Sequence, residues 1–299
     1  MMINLVLVLL VCLLHTVPAR VGPFERIVSL PNPQWTSNVT VVCAHYMMKK
    51  AKHSATHYRG WWKKTLRLNA SYIVYTNDVS VAREMLHVRG ELPTIVIYVP
   101  FEDFYASPTA QPNMTQRIHV PSVQLGLVWA EKLHFMQRAY NDNYYKSDWF
   151  AWVDSGNALY RAIPMPPEEW PHPQALVNLP NKFLFTFCWF PWTYEIAGTA
   201  FIYHRHIVPT VTSLAKDAYE LCRHTDKEPW HCLNDQWLMT LMKTARPDLF
   251  IQVGYGYGDL VRKLFRPNVT QTNITHFSDI CTRDPVTDKC TWHIEMPAR

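Results

Sequence analysis

The chain has 299 residues, of which 48% are hydrophobic and 18% are charged, and its formal net charge at pH 7 is +5. A chain of this length can bury a large hydrophobic core within one domain. The charge is mild, and the sequence has no nucleic-acid-binding motif, no P-loop, no Gly-x-Ser-x-Gly and no His-Glu-x-x-His, which excludes the protein classes that those motifs define.

The N-terminal residues are apolar. Leu5–Leu14 is almost wholly hydrophobic, and Val17-Pro18-Ala19 supplies the small residues of a signal-peptidase site. We therefore predict a secretory signal peptide over residues 1–19. An uncleaved anchor is the alternative, but the apolar run is shorter than the ~20 residues of a membrane span. Residues 20–299 are expected to form a single domain in the lumen of the endoplasmic reticulum or Golgi, or outside the cell.

Glycosylation sequons agree with this compartment. From the numbers of Asn, Ser and Thr, chance predicts about 1.6 matches to Asn-x-Ser/Thr in the chain. Five are present, and their excess indicates exposed loops of a secretory glycoprotein. The predicted acceptors are Asn38, Asn69, Asn113, Asn268 and Asn273.

Six cysteines lie after the predicted signal peptide, and an even number in a secreted chain indicates disulfides. Two pairs are close in sequence, Cys222 with Cys232 and Cys281 with Cys290. Because six cysteines allow 15 connectivities, local pairing is a hypothesis. Cys43 and Cys188 fall in predicted strands and are candidates for buried thiols. No Cys-x-x-Cys pair is present to favour a zinc site.

The N-terminal half alternates predicted strands and helices. The strands are Thr40–Ala44, Ser71–Thr76, Thr94–Val99 and the run that starts at Trp149, and the helices are Ser54–Leu68, Ser80–His87 and Pro121–Tyr140. This alternation predicts an α/β fold with a mostly parallel central sheet and flanking helices.

The C-terminal half predicts a mixed continuation of the sheet. Its strands are Phe183–Phe190, Gly198–Tyr203 and Leu249–Val253, and its helices are His206–Arg223 and Pro229–Thr244. After Pro267, sequons and two cysteines predict a C-terminal tail that is held together by a disulfide. No change of composition marks a second domain.

Asp154 directly follows an apolar, aromatic run that is typical of a buried strand. Open α/β sheets bind ligands beyond the carboxyl ends of their strands, so this carboxylate is a candidate ligand-binding group. A strand followed by an Asx-type turn is the alternative.

The surrounding residues resemble a known family. A helix that contains Trp129, Ala130 and Lys132 precedes the aromatic strand, and the strand ends in Trp-x-Asp-Ser. Between about Thr40 and about Phe250 the chain resembles the HtrL/YibB-like family of GT-A glycosyltransferases.

The resemblance implies a GT-A-like nucleotide-diphospho-sugar transferase fold. It also implies a hexosyl- or pentosyltransferase that moves a sugar from a nucleotide sugar, with UDP as the expected nucleotide, to a glycan or glycoprotein acceptor. It assigns Asp154, Ser155, Gly156 and Lys132 to donor binding, and it places Mn²⁺ or Mg²⁺ on Asp154.

One departure from the family is important. GT-A enzymes usually hold a divalent ion with an Asp-x-Asp pair, but here the sequence is Asp154-Ser155-Gly156. The ion then needs other ligands, or Asp154 binds hydroxyls of the donor's ribose or sugar instead. The alternative to an enzyme is a catalytically inactive, secreted carbohydrate-binding or interaction protein on a transferase-like fold.

Three further positions are candidates for catalysis. Glu195 lies in a loop that resembles the acceptor-side loop of GT-A folds, where Gly198 lets backbone approach a sugar. Asp235 and Gln236 are expected on the Pro229–Thr244 helix. By resemblance Asp235 is a general base or a hydroxyl-positioning group, and the alternative is a solvated polar turn.

A basic segment and an aromatic loop complete the candidates. The basic segment consists of Lys49, Lys50, Lys52 and His53. These side chains either form a solvated face or create a positive electrostatic field that attracts an anionic donor. The loop Gly254–Gly258 is a candidate lid or sugar platform.

Overall fold

A computed structural model describes residues 34–157, 159–161, 163–188, 195–272, 281–283 and 290–292, together with Ser29 and Asn32. The predicted signal peptide and the sequon at Asn273 lie outside the described residues. So do the side chains of Cys281 and Cys290, and their pairing stays a prediction. No helix in these ranges has the length and apolar character that crossing a membrane requires.

Seven strands form one central sheet, which confirms the predicted α/β class. Its spatial order is β3-β2-β1-β4-β6-β5-β7, and β6, which pairs antiparallel with β4 and β5, is the one reversed strand. The strands are β1 Val39–His45, β2 Ser71–Thr76, β3 Thr94–Tyr98, β4 Trp149–Val153, β5 Phe183–Phe187, β6 Ile196–His204 and β7 Phe250–Tyr255. Two short strands near the C-terminus, β8 Cys281–Arg283 and β9 Cys290–Trp292, pair with each other.

Helices cover both faces of this sheet. They are α1 Ala55–Thr65, α2 Val79–Arg89, α3 Val123–Ala130, α4 Lys132–Asp142, α5 Val208–Thr225, α6 Asp235–Ala245 and α7 Asp259–Lys263. Along β4, Phe150 and Trp152 belong to the core under α3 to α6, whereas Trp149 and Val153 belong to the core under α1, α2 and α7. The sheet is therefore buried on both faces, as its near-continuous apolar strands predict.

The predicted helix Pro121–Tyr140 is two helices, α3 and α4, which meet at Glu131. Glu131 is fully buried, and its Oε2 accepts the backbone N–H of Tyr105 at 2.8 Å. A periodicity of apolar residues shows only which face of a helix is buried. It cannot reveal an acidic side chain that is buried by a contact with a distant loop.

The predicted helix Pro229–Thr244 also divides. Pro229–Leu233 is a 3₁₀ helix, and α6 begins only at Asp235. The reason is Asn234, whose Oδ1 accepts the N–H of Gln236 at 3.0 Å and caps the new helix. This cap places Asp235 and Gln236 in the first turn of α6.

The predicted disulfide between Cys222 and Cys232 is present, and it joins the last turns of α5 to the 3₁₀ helix that precedes Asn234. Cys43 and Cys188 are buried thiols, as predicted.

Replacing both Cys222 and Cys232 with Ser is expected to lower the free energy of unfolding by about 2–3 kcal/mol, because the bond closes a short loop in the unfolded chain. Urea unfolding of the oxidised protein measures the loss. The double variant should also be less sensitive to reductant than the wild type. An unchanged unfolding midpoint would contradict this account of the bond.

Candidate active site

A cavity of about 420 Å³ opens beyond the carboxyl ends of the parallel strands of the sheet. His45 at the end of β1, Asp154 just after β4, Gly198 near the start of the reversed strand β6, and Asp235 at the start of α6 all line it. Four elements that are distant in sequence therefore bring side chains or backbone to the place where α/β sheets bind ligands.

Asp154 lies where the sequence predicted it, beyond the last residue of β4. Its N–H donates to Thr199 O on β6 at 2.9 Å, and its Oδ1 accepts the indole N–H of Trp152 at 2.7 Å. The carboxylate thereby turns back over the α4 side of the sheet. One quarter of its side chain is exposed, and this part faces the cavity.

Lys132, the first residue of α4, carries a buried ammonium group at the floor of the cavity. Its Nζ lies 2.9 Å from Oδ1 of Asp154 and 2.7 Å from Oδ2 of Asp235. The same nitrogen donates to Gly198 O at 2.8 Å. The ammonium group therefore lies within 3 Å of three oxygen atoms, and the two carboxylates share one cation.

The charges of this cluster do not cancel completely. Burial alone would lower the pKa of Lys132, but Asp154 and Asp235 outweigh it and raise that pKa. For Asp235, burial and the nearby charge of Asp154 raise the pKa against the opposing effect of Lys132. One ammonium facing two carboxylates stays protonated, and the excess negative charge rests on groups that reach the cavity.

Gln236 follows Asp235 in the first turn of α6 and lines the same cavity. Its Nε2 lies 2.9 Å from Ile196 O, 3.0 Å from Cys188 Sγ and 3.1 Å from the hydroxyl of Tyr257. Both Asp235 and Gln236 are more than nine-tenths buried. The alternative of a solvated polar turn is therefore wrong for this segment. Tyr257, from the predicted aromatic loop, lines the cavity.

The structure brings together six of the seven predicted site residues. Asp154, Ser155, Gly156, Lys132, Asp235 and Gln236 line the cavity. Glu195 is not among the lining residues. Its carboxylate forms an ion pair with Lys243 on α6, and its side chain is about half exposed. The fold therefore gives Glu195 a surface ion pair in place of the predicted contact with a sugar.

Sequence reasoning missed Arg161, which lies at the end of a 3₁₀ helix, Leu159–Arg161, and lines the cavity. Its Nε donates to Gly156 O at 2.9 Å, and its guanidinium lies 4.0 Å from the ring centroid of Trp61. The one available signal was its position in the same stretch as Asp154.

The donor chemistry around Asp154 does not fit the predicted Mn²⁺ or Mg²⁺. The Lys132 ammonium already lies between the two carboxylates, where a divalent ion would bridge them, and residue 156 is Gly. In the described ranges, no group of three or more His, Cys, Asp or Glu side chains is arranged to hold a metal ion.

No protein-family model matches the chain, and no curated protein matches it. Similar solved structures are glycosyltransferases. One involved in glycosylation of the major capsid of PBCV-1 has 13% identity over 72% of this chain and 81% of its own, with a TM-score of 0.36. Mouse xyloside xylosyltransferase 1, in its apo form, has 10% identity over 76% of this chain and 93% of its own, with a TM-score of 0.42.

The apo form of the glycosyltransferase GlyE of Streptococcus pneumoniae has 9% identity and a TM-score of 0.42. That match covers 73% of this chain and 45% of GlyE. Likenesses of this degree assign no activity to the chain, and the resemblance to the HtrL/YibB-like family stays a prediction.

Replacing Gly198 with Ala should destabilise the protein by about 1–3 kcal/mol, because the new methyl group has no room. A Cβ at this position would meet Oδ2 of Asp235 well inside contact distance and would lie 3.0 Å from Cγ of Gln236. Gly60→Ala is the matched control, since a Cβ there meets nothing within 4 Å. Thermal unfolding should show the control slightly stabilised by its better helix propensity. Equal effects of the two substitutions would contradict the tight packing of Gly198.

Replacing Lys132 with Met is expected to cost about 3–5 kcal/mol of unfolding free energy, because it leaves a buried carboxylate without a countercharge. Lys63→Met, which removes a surface ion pair with Glu84, is the control and should cost less than about 1 kcal/mol. Adding Asp235→Asn to Lys132→Met should recover part of the loss. If Lys132→Met were no more destabilising than Lys63→Met, the buried cluster would not stabilise the fold.

Proposed function

We propose that the protein is a glycosyltransferase of the GT-A type. It moves a hexosyl or pentosyl group from a nucleoside diphosphate sugar, with UDP as the expected nucleotide, to a glycan or glycoprotein acceptor in the secretory pathway. The observation that carries this proposal is the pair of carboxylates, Asp154 and Asp235, held by one buried ammonium at the floor of the cavity.

The position and size of the cavity support a small-molecule substrate. Its volume of about 420 Å³ is within the range of pockets that bind ligands of this size. It opens at the edge where the parallel strands β1 and β4 end. Paired acceptor groups fixed at such a place suit a ligand that is rich in hydroxyl groups.

The transfer reaction defines roles for the two carboxylates. The bond between the anomeric carbon and the diphosphate breaks, a bond forms from that carbon to an acceptor hydroxyl oxygen, and the hydroxyl proton must leave. Asp235 receives that proton or positions the hydroxyl, and its raised pKa favours proton uptake. Asp154 accepts hydrogen bonds from donor hydroxyls through the exposed part of its side chain.

Lys132 and Gly198 position these groups. Lys132 fixes the separation of the two carboxylates. Its positive charge also offsets the cost of burying them in their ionised form. Gly198, whose carbonyl accepts from Lys132, has no side chain to separate β6 from Asp235. Both act through Asp154 and Asp235, so they are positioning residues.

Replacing Asp154 with Asn should lower the turnover of a nucleotide sugar by a factor of order 10²–10³, because the electrostatic role of the anion is lost. The ion pair with Lys132 also gives the charge of Asp154 a part in the stability of the fold. A stability cost of about 1–3 kcal/mol is therefore expected, that of a hydrogen bond to a charged group. Release of UDP from a panel of UDP sugars, together with thermal unfolding, measures both effects.

Asp148→Asn is the matched control, because Asp148 precedes β4 at the opposite edge of the sheet and pairs with Arg205 on the surface. Its turnover should stay within a factor of about two of the wild-type value, in line with a surface substitution. Nucleotide-sugar binding without turnover in the wild type would favour the inactive carbohydrate-binding protein. Full turnover in Asp154→Asn would remove Asp154 from the reaction.

A further inference from the structure

One wall of the cavity is cationic. Arg161, Lys52 and His53 line it together with Gly156. No carboxylate in the described part of the chain forms an ion pair with Arg161 or Lys52, whereas Lys132 has two such partners. This wall therefore faces the cavity with positive charge that no ion pair among the described residues neutralises, although the charge of Asp154 acts on Arg161 from a longer distance.

The geometry of Arg161 leaves its terminal nitrogens available. Its Nε is bound to Gly156 O, and its guanidinium plane lies against Trp61. The backbone is also held, because Lys64 Nζ donates to Arg161 O at 2.6 Å. Neither terminal nitrogen of this guanidinium has a hydrogen bond to the residues that the structure describes. The guanidinium group of Arg161, with its two terminal nitrogens, is therefore already oriented before any ligand binds.

The cations of this wall also oppose one another. Burial, and then the charge of Arg161, lower the pKa of Lys52. Burial lowers the pKa of His53 as well, with Arg161 and Lys52 adding to the effect. Like charges held close together destabilise a fold unless an anion lies between them. An anionic ligand on this wall would relieve that repulsion.

We propose that Arg161 and Lys52 bind the diphosphate of the nucleotide donor directly, at the place where Gly156 replaces the second acid of an Asp-x-Asp pair. Nucleotide binding then needs no divalent cation. The inference rests on the proposed function, since the diphosphate belongs to the nucleotide-sugar donor. It adds a set of phosphate-binding residues to that function.

The chemistry of the two side chains suits this role. A guanidinium presents paired donors that match two phosphate oxygens, whereas an ammonium acts as a point charge. As the bond from the anomeric carbon breaks, its electron pair goes to the diphosphate oxygen, and negative charge on the leaving group grows. Fixed cations beside that oxygen stabilise the charge, which is the task that a metal ion performs in other sites.

The experiment is titration calorimetry of the full secreted protein with UDP, in EDTA and separately with Mn²⁺. The wild-type dissociation constant is expected to agree within about threefold between the two conditions. Arg161→Gln and Lys52→Gln should each weaken UDP binding about tenfold or more in EDTA, as expected for lost hydrogen bonds to a charged group. Arg161→Lys, which keeps the charge but not the fork, should fall between wild type and Arg161→Gln.

Lys50→Gln is the matched control. Lys50 is exposed, lies two residues from Lys52 and does not line the cavity. The Lys50→Gln variant should bind UDP with the wild-type affinity if local contacts bind the phosphates. A loss of affinity would be expected if only the overall positive electrostatic field attracted them. The side chain of Lys52 is only partly covered and is more exposed than that of Arg161, so its variant keeps the test decisive even if thermal unfolding shows that Arg161→Gln does not fold.

The possible failures are distinguishable. UDP binding that requires Mn²⁺, or that is unaffected by Arg161→Gln and Lys52→Gln in folded protein, overturns this inference and leaves the proposed function standing. The same holds if Lys50→Gln weakens binding as much as Lys52→Gln does. If the wild type binds none of UDP, GDP or their sugars under either condition, the proposed function and this inference are both overturned.

Discussion

The candidate site depends on the buried ammonium of Lys132. Moving an ammonium out of water costs several kcal/mol, and this cost is offset only where acceptors surround the charge. Here the acceptors come from the end of β4, from β6 and from the start of α6. The cation therefore does more than neutralise two acids. It fixes the relative positions of three elements that are far apart in the sequence. Together these elements form the floor of the cavity.

The sequence predicted most of the fold because local patterns determine it. The strand Ser71–Thr76 and the position of Asp154 beyond β4 are as expected, since apolar runs and their ends are local signals. The contact between Lys132 and Asp235 joins residues far apart in the chain, and no local pattern contains it. The same reason explains the buried Glu131. The Asn234 cap was missed because Pro229 gave a stronger local signal for the start of a helix.

The cavity has two electrostatic sides. The floor carries Asp154 and Asp235 with one ammonium between them, so its net charge is negative. The wall at Arg161 and Lys52 is positively charged, because neither side chain forms an ion pair within the described part of the chain. A substrate with hydroxyl groups at one end and phosphates at the other would match both sides. Such a division also orients the substrate, because reversing it would place phosphates against carboxylates.

The missing Cβ of Gly198 has a consequence for recognising relatives of this chain. Any protein that uses the same cluster needs a glycine where β6 passes Asp235, because a methyl group there collides with the carboxylate. The cluster therefore implies a dispersed signature, Lys132, Asp154, Gly198 and Asp235, with successive separations of 22, 44 and 37 residues. The intervening loops can change length freely while these four positions keep their chemistry. Distant homologues are then better sought by these four residues, in this order and on the matching elements of the fold, than by overall identity.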